Sequence, residues 1–270
     1  MSEPTLQEAL ARARVYDLGQ PYWNGMPVHP FDPPFQSYLY RYHEYVRKSF
    51  DEMGIEPGFS DAISIMITSN HAGTHFDLPI HMSQDNRVMG IDVTPYQRDT
   101  GFKDLPEPLH SLEQVPPLVL RAVLLDVAAF RNEEVLPERH PITPEELEGC
   151  AEQAGGIREG DCVLIRTGYG RYFETDRDIY LNRWAGLGDA AAHWLAGRGP
   201  RLVGIDNLSL GVPAPFASHR IILVEKGIYV MKSLNLEALA ADGCTHSTVI
   251  VLPLPIRGGE ASLVRPIALV

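Results

Sequence analysis

Residues 71–81 read HAGTHFDLPIH, and this stretch dictates both where the chemistry of the chain lies and how the surrounding backbone runs. Ten histidines in 270 residues average about 0.4 in any window of eleven, yet three of them share this window with an aspartate. Imidazole and carboxylate are the ligands that suit zinc, manganese or iron. The density of ligand types predicts a metal site; the alternative is a set of core histidines satisfied by hydrogen bonds.

The spacing of the first two histidines is also that of a metalloprotease helix, in which two ligands stand four residues apart. Gly73 lies between His71 and His75, and Pro79 follows soon after, so both would weaken a helix here. An extended or looped segment is therefore predicted. Its side chains would alternate, so the odd-numbered positions of the motif would project toward one side and converge on an ion.

Two small residues within the motif have expected supporting roles. Gly73 would let the chain turn tightly around an ion. The Thr74 hydroxyl would hydrogen-bond the free oxygen or ring nitrogen of a ligand.

Away from the motif, the hydrophobic pattern predicts a strand-rich α/β chain. Thr143, Pro144 and Glu146 form the capped start of a helix that Gly155 and Gly156 would end. A second helix is predicted at 188–199, and a hairpin at 220–233 around Glu225 and Lys226. Buried strands are predicted at 62–68 and 118–127, and further strands at 161–168, 200–206, 247–256 and 262–270.

Composition excludes several classes of protein. The excess of 35 acidic over 23 basic residues gives a net charge of -12, with no basic cluster of the nucleic-acid-binding type. No segment approaches the ~18 apolar residues of a membrane span, and residues 1–20 lack the core of a secretory signal, so a cytoplasmic location is expected. Cys150, Cys162 and Cys244 are odd in number and lack a CxxC spacing, so nitrogen and oxygen must hold any metal.

The chain is expected to form a single domain over 1–270 that begins with an arm rich in proline and aromatic residues, about 1–45. The arm lacks periodicity and is predicted to be irregular. Its rings, among them Tyr22, Trp23 and Phe35, are expected to serve core packing, and lining an apolar pocket is the alternative.

The motif resembles the hallmark His-x-Gly-Thr-His-x-Asp-x-Pro-x-His of the cyclase-like metal hydrolases, a family that includes bacterial kynurenine formamidase and isatin hydrolase. It matches every fixed position. The resemblance implies a swivelling β/β/α fold, assembly as a homodimer or homotetramer, and a small-molecule substrate. Further similarity lies, in the same order, at 15–30, 164–170, 202–206 with Ser209, 218–223 and 233–239.

The resemblance also implies roles for individual residues. His71, His75 and Asp77 would bind the metal, and His81 would transfer protons as general base and acid. His219 looks like the later pocket histidine of the family and is a second catalytic candidate.

One position departs from the family pattern. Where formamidase-like members carry a glutamate that completes a second metal site, this chain has Lys232. An ammonium group cannot ligate a metal and repels a dication, so one divalent metal is expected, Zn²⁺ first and Mn²⁺ next. Lys232 itself is expected to be a solvated surface residue, and stabilisation of an oxyanion is the alternative.

Together these observations predict a hydrolase that uses metal-bound hydroxide against a cyclic amide, imide or lactone, or an aryl formamide. A lyase or cyclase of small-molecule biosynthesis would use the same Lewis acid without attack by water. A non-catalytic protein that merely binds metal or ligand is the third interpretation.

Overall fold

The computed structural model describes residues 5–213 and 217–270 and shows a mixed α/β fold built on a nine-stranded sheet, as predicted. The strands are β1 (Val15–Asp17), β2 (Gln36–Arg41), β3 (Ile63–Ile67), β4 (His75–Asp77), β5 (Arg87–Val88), β6 (Ile91–Asp92), β7 (Gln97–Arg98), β8 (Gly101–Phe102), β9 (Leu118–Asp126), β10 (Pro141–Ile142), β11 (Cys162–Arg166), β12 (Gly186–Leu187), β13 (Leu202–Ile205), β14 (Tyr229–Lys232), β15 (His246–Val251), β16 (Ala261–Leu263) and β17 (Ile267–Leu269).

Short helices connect and cover these strands. They are α1 (Leu6–Arg12), α2 (His43–Glu52), α3 (Val127–Phe130), α4 (Pro144–Gln153), α5 (Tyr172–Thr175), α6 (Arg177–Asn182), α7 (Asp189–Ala196), α8 (Ala217–His219) and α9 (Glu237–Ala241), with 3-10 turns at Pro79–His81, Thr94–Tyr96, Leu112–Gln114 and Tyr169–Arg171 and a π-helix at Arg220–Glu225. No helix in the described ranges is long and apolar enough to cross a membrane.

The strand order of the main sheet is β1-β17-β15-β9-β11-β13-β14-β4-β16. The strands β9, β11, β13 and β14 run parallel to one another, and β4 joins this block antiparallel to both β14 and β16. The motif strand therefore lies between the last parallel strand and the edge strand. The register pairs His75 with Lys232 on one side and with Leu263 on the other.

The central strands β9, β11, β13 and β14 are mostly apolar because most of their residues are buried on both faces of the sheet. In β11, Val163 and Ile165 face one core cluster, whereas Cys162 and Leu164 face the other. This alternation is the period-2 pattern of a strand, and it divides the apolar residues into two layers. The rigid block so formed supports the strands that carry the motif.

The predicted helix caps are confirmed. The Thr143 hydroxyl accepts from the backbone N–H of Glu146, whose side chain accepts from the backbone N–H of Thr143. Gly155 and Gly156 follow the helix with positive φ values of +72° and +91°. The helix predicted at 188–199 is α7.

The hairpin predicted at 220–233 is wrong. Its first half is the π-helix Arg220–Glu225, and its second half is β14, which pairs in parallel with β13. Ile221, Ile222, Leu223 and Val224 are all buried, so their apolar run carries no periodicity that separates a helix from a strand.

The prediction at 62–68 is right about the strand and wrong about its burial. All five residues of β3 are exposed, and the strand pairs only with β2 in a two-stranded ribbon. The N-terminal arm is also more regular than predicted, since it contains α1, β1, β2 and the start of α2.

Candidate metal centre

The motif is positioned by a sharp turn that precedes β4. Gly73 has φ of +57°, a conformation that favours glycine, and an added Cβ would lie 2.8–2.9 Å from atoms of Met26 and Tyr22. The Tyr22 hydroxyl donates to the carbonyl oxygens of Ala72 at 3.1 Å and Thr74 at 2.6 Å. The predicted tight turn at Gly73 is confirmed, and a tyrosine from the N-terminal arm holds it closed.

The role predicted for Thr74 is wrong. Its hydroxyl donates to the carbonyl oxygen of Ser233 at 2.6 Å and accepts from the backbone N–H of Gln20 at 2.8 Å. Thr74 therefore bonds no ligand side chain of the motif. It ties the motif to the segment that follows β14 and to the arm.

The ligand-type side chains converge, although only His75 and Asp77 lie on a strand. His71 comes from the turn before β4, and His81 from the 3-10 turn after it. The His71 Nδ1 atom lies 2.9 Å from Asp77 Oδ1, and the His71 ring centroid lies 3.9 Å from that of His81. The ligand atoms of His71, Asp77 and His81 all fall within 4.8 Å of one another, a spacing that can hold a metal ion.

His75 completes the cluster from the side of the sheet. Its Nδ1–H donates to the carbonyl oxygen of Gly73 at 2.7 Å, which leaves the lone pair on Nε2. Nε2 is buried, lies 3.5 Å from Asp77 Oδ1 and has no hydrogen-bond partner among the described residues. A buried acceptor aimed at a carboxylate fits a divalent cation between them.

The charges of the cluster also fit a cation. Burial, helped by the charges of Lys232 and His71, lowers the pKa of His75 and of His81 to about 3. Both rings are therefore neutral, and each has a nitrogen lone pair that can bind a metal. Burial acts to raise the pKa of Asp77, but Lys232 and the surrounding histidines hold it well below its usual range. The cluster therefore presents neutral imidazoles and an ionised carboxylate, the ligand set that Zn²⁺ or Mn²⁺ accepts.

His71 is the exception, because it shares a proton with the carboxylate. Burial acts to lower its pKa, but the hydrogen bond and charge of Asp77, with a bond to Glu260, raise the pKa to about 9. A metal that binds at His71 would displace this proton.

His71, His75 and His81 line a cavity of about 270 Å³, whereas Asp77 is fully buried beside His71. His219, the second catalytic candidate, is buried and lies on the wall of the same cavity. The structure thus brings together every site residue predicted from the sequence. The remaining lining residues are His29, Phe31, Asp32, Met82, Leu208, Ser209 and Lys232.

The expectation that Lys232 is solvated is wrong. The residue is 7% exposed, and its Nζ lies 2.9 Å from Asp77 Oδ2. The physical reason is the register of the sheet, which sets Lys232 opposite His75 in the neighbouring strand. The sequence could not show this, because the predicted hairpin misplaced β14.

Sequence reasoning missed two contributions to the site. Glu260 precedes β16, and its Oε1 lies 3.4 Å from His71 Nε2. The arm supplies His29, Phe31 and Asp32 to the cavity. Neither contribution has a local signal, since Glu260 is a lone acid almost 190 positions from His71 and the arm lacks periodicity.

The three aromatic residues named in the arm lie outside this cavity and pack on other rings, as expected. Tyr22 packs on Phe35 and Trp23 on Phe173, each with ring centroids 5.5 Å apart.

A family model described as a putative cyclase matches residues 16–212, well over half of the chain. The chain belongs to the putative cyclase family. This family assignment agrees with the resemblance of the motif, and the match covers most of the arm, the motif and the parallel strands β9, β11 and β13.

Relatives of known name match most of the chain. The kynurenine formamidase of Bordetella petrii is 25% identical over 256 residues, which cover 94% of this chain and 97% of the relative. The isatin hydrolase of Roseibium aggregatum is 25% identical over 217 residues, which cover 76% and 73%. A crystal structure of a novel cyclase, 22% identical, shares the fold with a TM-score of 0.83 and covers 98% of this chain and 93% of its own.

Gly73→Ala tests the turn that precedes β4 and positions the candidate metal ligands. We expect a loss of about 2–5 kcal/mol of unfolding free energy, because alanine is strained at this φ and its Cβ would overlap Tyr22 and Met26. Gly90→Ala is the matched control, since Gly90 also has a positive φ, +80°, but open space around it, and should lose only about 1–2 kcal/mol. Equal losses in urea denaturation would show that the contact with Tyr22 is unimportant.

Proposed function

We propose that this protein is a metal-dependent hydrolase that cleaves the carbonyl bond of a cyclic amide, imide or lactone, or of an aryl formamide. The observation that carries the proposal is the convergence of His71, His75 and His81 around the buried carboxylate of Asp77, with all three rings lining one cavity. Relatives named kynurenine formamidase and isatin hydrolase support hydrolysis as the reaction class.

His71, His75 and Asp77 would hold one divalent metal, Zn²⁺ in preference to Mn²⁺. When bound, such a metal acts as a Lewis acid on a carbonyl oxygen and lowers the pKa of a coordinated water. The protein fixes these ligands in advance through the Gly73 carbonyl on His75 and the Glu260 carboxylate on His71. Such outer contacts orient the rings and keep the correct nitrogen free.

His81 is the proposed proton-transfer residue. Its ring is neutral, packs against that of His71 and faces the cavity, so it can accept a proton from the attacking water and return it to the leaving atom. His219, on the same cavity wall, would orient the substrate carbonyl as the second catalytic histidine.

The cavity favours a small substrate with one apolar face. Its volume of about 270 Å³ and its lining by Phe31, Met82 and Leu208 suit a planar ring system with a reactive carbonyl. A panel of isatin, N-formylkynurenine, cyclic imides and unsaturated lactones samples this chemistry. Incorporation of ¹⁸O from labelled water into product distinguishes hydrolysis from a lyase or cyclase reaction.

The first test is metal content, measured by elemental mass spectrometry on protein purified without a metal-binding tag. We expect about one equivalent in the native chain and almost none in His75→Ala, because the lost ring supplies a buried ligand atom. His193→Ala is the control, since His193 is an exposed residue of α7 far from the motif in sequence. A native chain that remains metal-free after reconstitution contradicts the proposal.

His81→Asn tests the proton-transfer role. Turnover of a substrate found in the panel should fall about 10²–10⁴-fold, the usual contribution of general acid–base catalysis, while metal content stays unchanged. Loss of metal together with activity would instead make His81 a ligand, which its spacing from His71 and Asp77 also permits.

We further propose that the protein assembles as a homodimer or homotetramer through the ribbon formed by β2 and β3. Ile65 and Tyr38, paired across the ribbon, are 44% and 49% exposed, while Leu39 and Met66 on the opposite face are 63% and 56% exposed. A two-stranded ribbon with apolar side chains on both faces is only marginally stable in water unless another surface packs against it.

Ile65→Glu should shift the oligomer toward the single-chain mass in light scattering coupled to size exclusion, because it buries a charge in the proposed interface. Val119→Glu is the control, since Val119 is a 63% exposed apolar residue of β9, away from the ribbon. A native chain that is monomeric at micromolar concentration overturns this assembly.

A further inference from the structure

The two oxygens of the Asp77 carboxylate face different groups. Oδ1 faces the histidines, with His71 Nδ1 at 2.9 Å and His75 Nε2 at 3.5 Å. Oδ2 faces the Lys232 ammonium, whose Nζ lies at 2.9 Å. The carboxylate thus bridges the histidine ligands on one side and a fixed positive charge on the other.

Stability of the fold alone does not explain why Lys232 is buried. Its side chain is 8% exposed and that of Asp77 is fully buried, and a buried ion pair is often no more stable than apolar residues of the same volume. Lysine is almost never buried without a specific partner. Because Lys232 also lines the cavity, its charge lies where a substrate would bind.

We propose that Lys232 is the permanent second cation of this site, which limits the site to one divalent metal and donates a hydrogen bond to the oxyanion of the reaction. The inference rests on the proposed hydrolase function. A lysine ammonium has three N–H donors, so the ion pair with Asp77 leaves donors for a ligand in the cavity. A cation held in place before the reaction stabilises developing charge without reorganisation.

The chemical step balances without any redox partner. The water oxygen forms a bond to the carbonyl carbon, its proton passes to His81, and the carbonyl π pair moves onto oxygen, where Lys232 donates its hydrogen bond. Collapse of this tetrahedral species re-forms the carbonyl and breaks the bond to the leaving nitrogen or oxygen. His81 returns the proton to the leaving atom.

Two substitutions of Lys232 distinguish a role as second cation from a purely structural role. In Lys232→Met, the metal should bind at least tenfold more tightly, because a like charge beside Asp77 is removed, whereas turnover should fall about 10²–10³-fold, as on loss of an oxyanion donor. A merely structural ion pair predicts the opposite sign for affinity, since its loss would disorder Asp77. Opposite changes in affinity and turnover therefore identify the proposed role.

Lys232→Glu provides a readout that does not depend on activity. A carboxylate at this position, next to Asp77 Oδ2 and in the cavity lined by His219, should raise the Zn²⁺ capacity from about one to about two equivalents by elemental analysis and calorimetric titration. Lys226→Met is the matched control for charge removal, because Lys226 is exposed and should change neither quantity. Circular dichroism checks that each variant is folded, and Lys232→Gln replaces Lys232→Met if the latter does not fold.

The outcomes distinguish this inference from the proposed function. One equivalent in the native chain and two in Lys232→Glu support the second cation. Two equivalents already in the native chain, one equivalent in folded Lys232→Glu, or unchanged affinity and turnover in Lys232→Met overturn it and leave the hydrolase proposal standing. A native chain that binds no metal overturns the hydrolase proposal itself.

Discussion

The ionised carboxylate of Asp77, fully buried between histidines and a lysine, is the constraint on which the site depends. A carboxylate removed from water is strongly unfavourable unless opposite charge and hydrogen bonds compensate it. Here the compensation comes from His71 and Lys232, on opposite sides of the same group. Because His71 bonds Oδ1 and Lys232 pairs with Oδ2, the two strands and the preceding turn must be held in register for the charge to be tolerated.

That register comes from the architecture of the sheet. The parallel block β9, β11, β13 and β14 is buried on both faces and forms the rigid part of the fold. The three-residue strand β4 takes its position from β14 and β16 on either side. A strand this short contributes little stability of its own, so the positions of His75 and Asp77 depend on the pairing of β4 with β14 and β16. The chemistry is local in sequence, but its geometry depends on residues far along the chain.

The sequence was sufficient for the parts of the site that are close together in the chain. Ligand spacing, Gly73 and Pro79 gave a non-helical motif whose side chains converge, and the structure agrees. It was insufficient where position depends on pairing between distant segments. Lys232 was expected at the surface because a lone lysine is usually solvated, and Glu260 carries no local pattern at all.

Burial was the second quantity that the sequence could not supply. The isoleucine-rich run of β3 has the composition of a core strand, and in the single chain each of its residues is exposed. An apolar pattern predicts that a segment is buried, but not whether residues of the same chain bury it. By contrast, the central strands and the caps of α4 were predicted correctly, because their signals are repeated over many residues or fixed by side-chain hydrogen bonds.

The hydrogen bonds from Tyr22 to the carbonyl oxygens of Ala72 and Thr74 make the N-terminal arm a structural support of the candidate metal centre. The same arm continues through His29 and Phe31 into the cavity wall. One continuous segment therefore supports the turn at Gly73 at one point and lines the cavity at another. Substitutions in the arm would then alter the shape of the cavity and the position of this turn together, although the arm lies outside the motif in sequence.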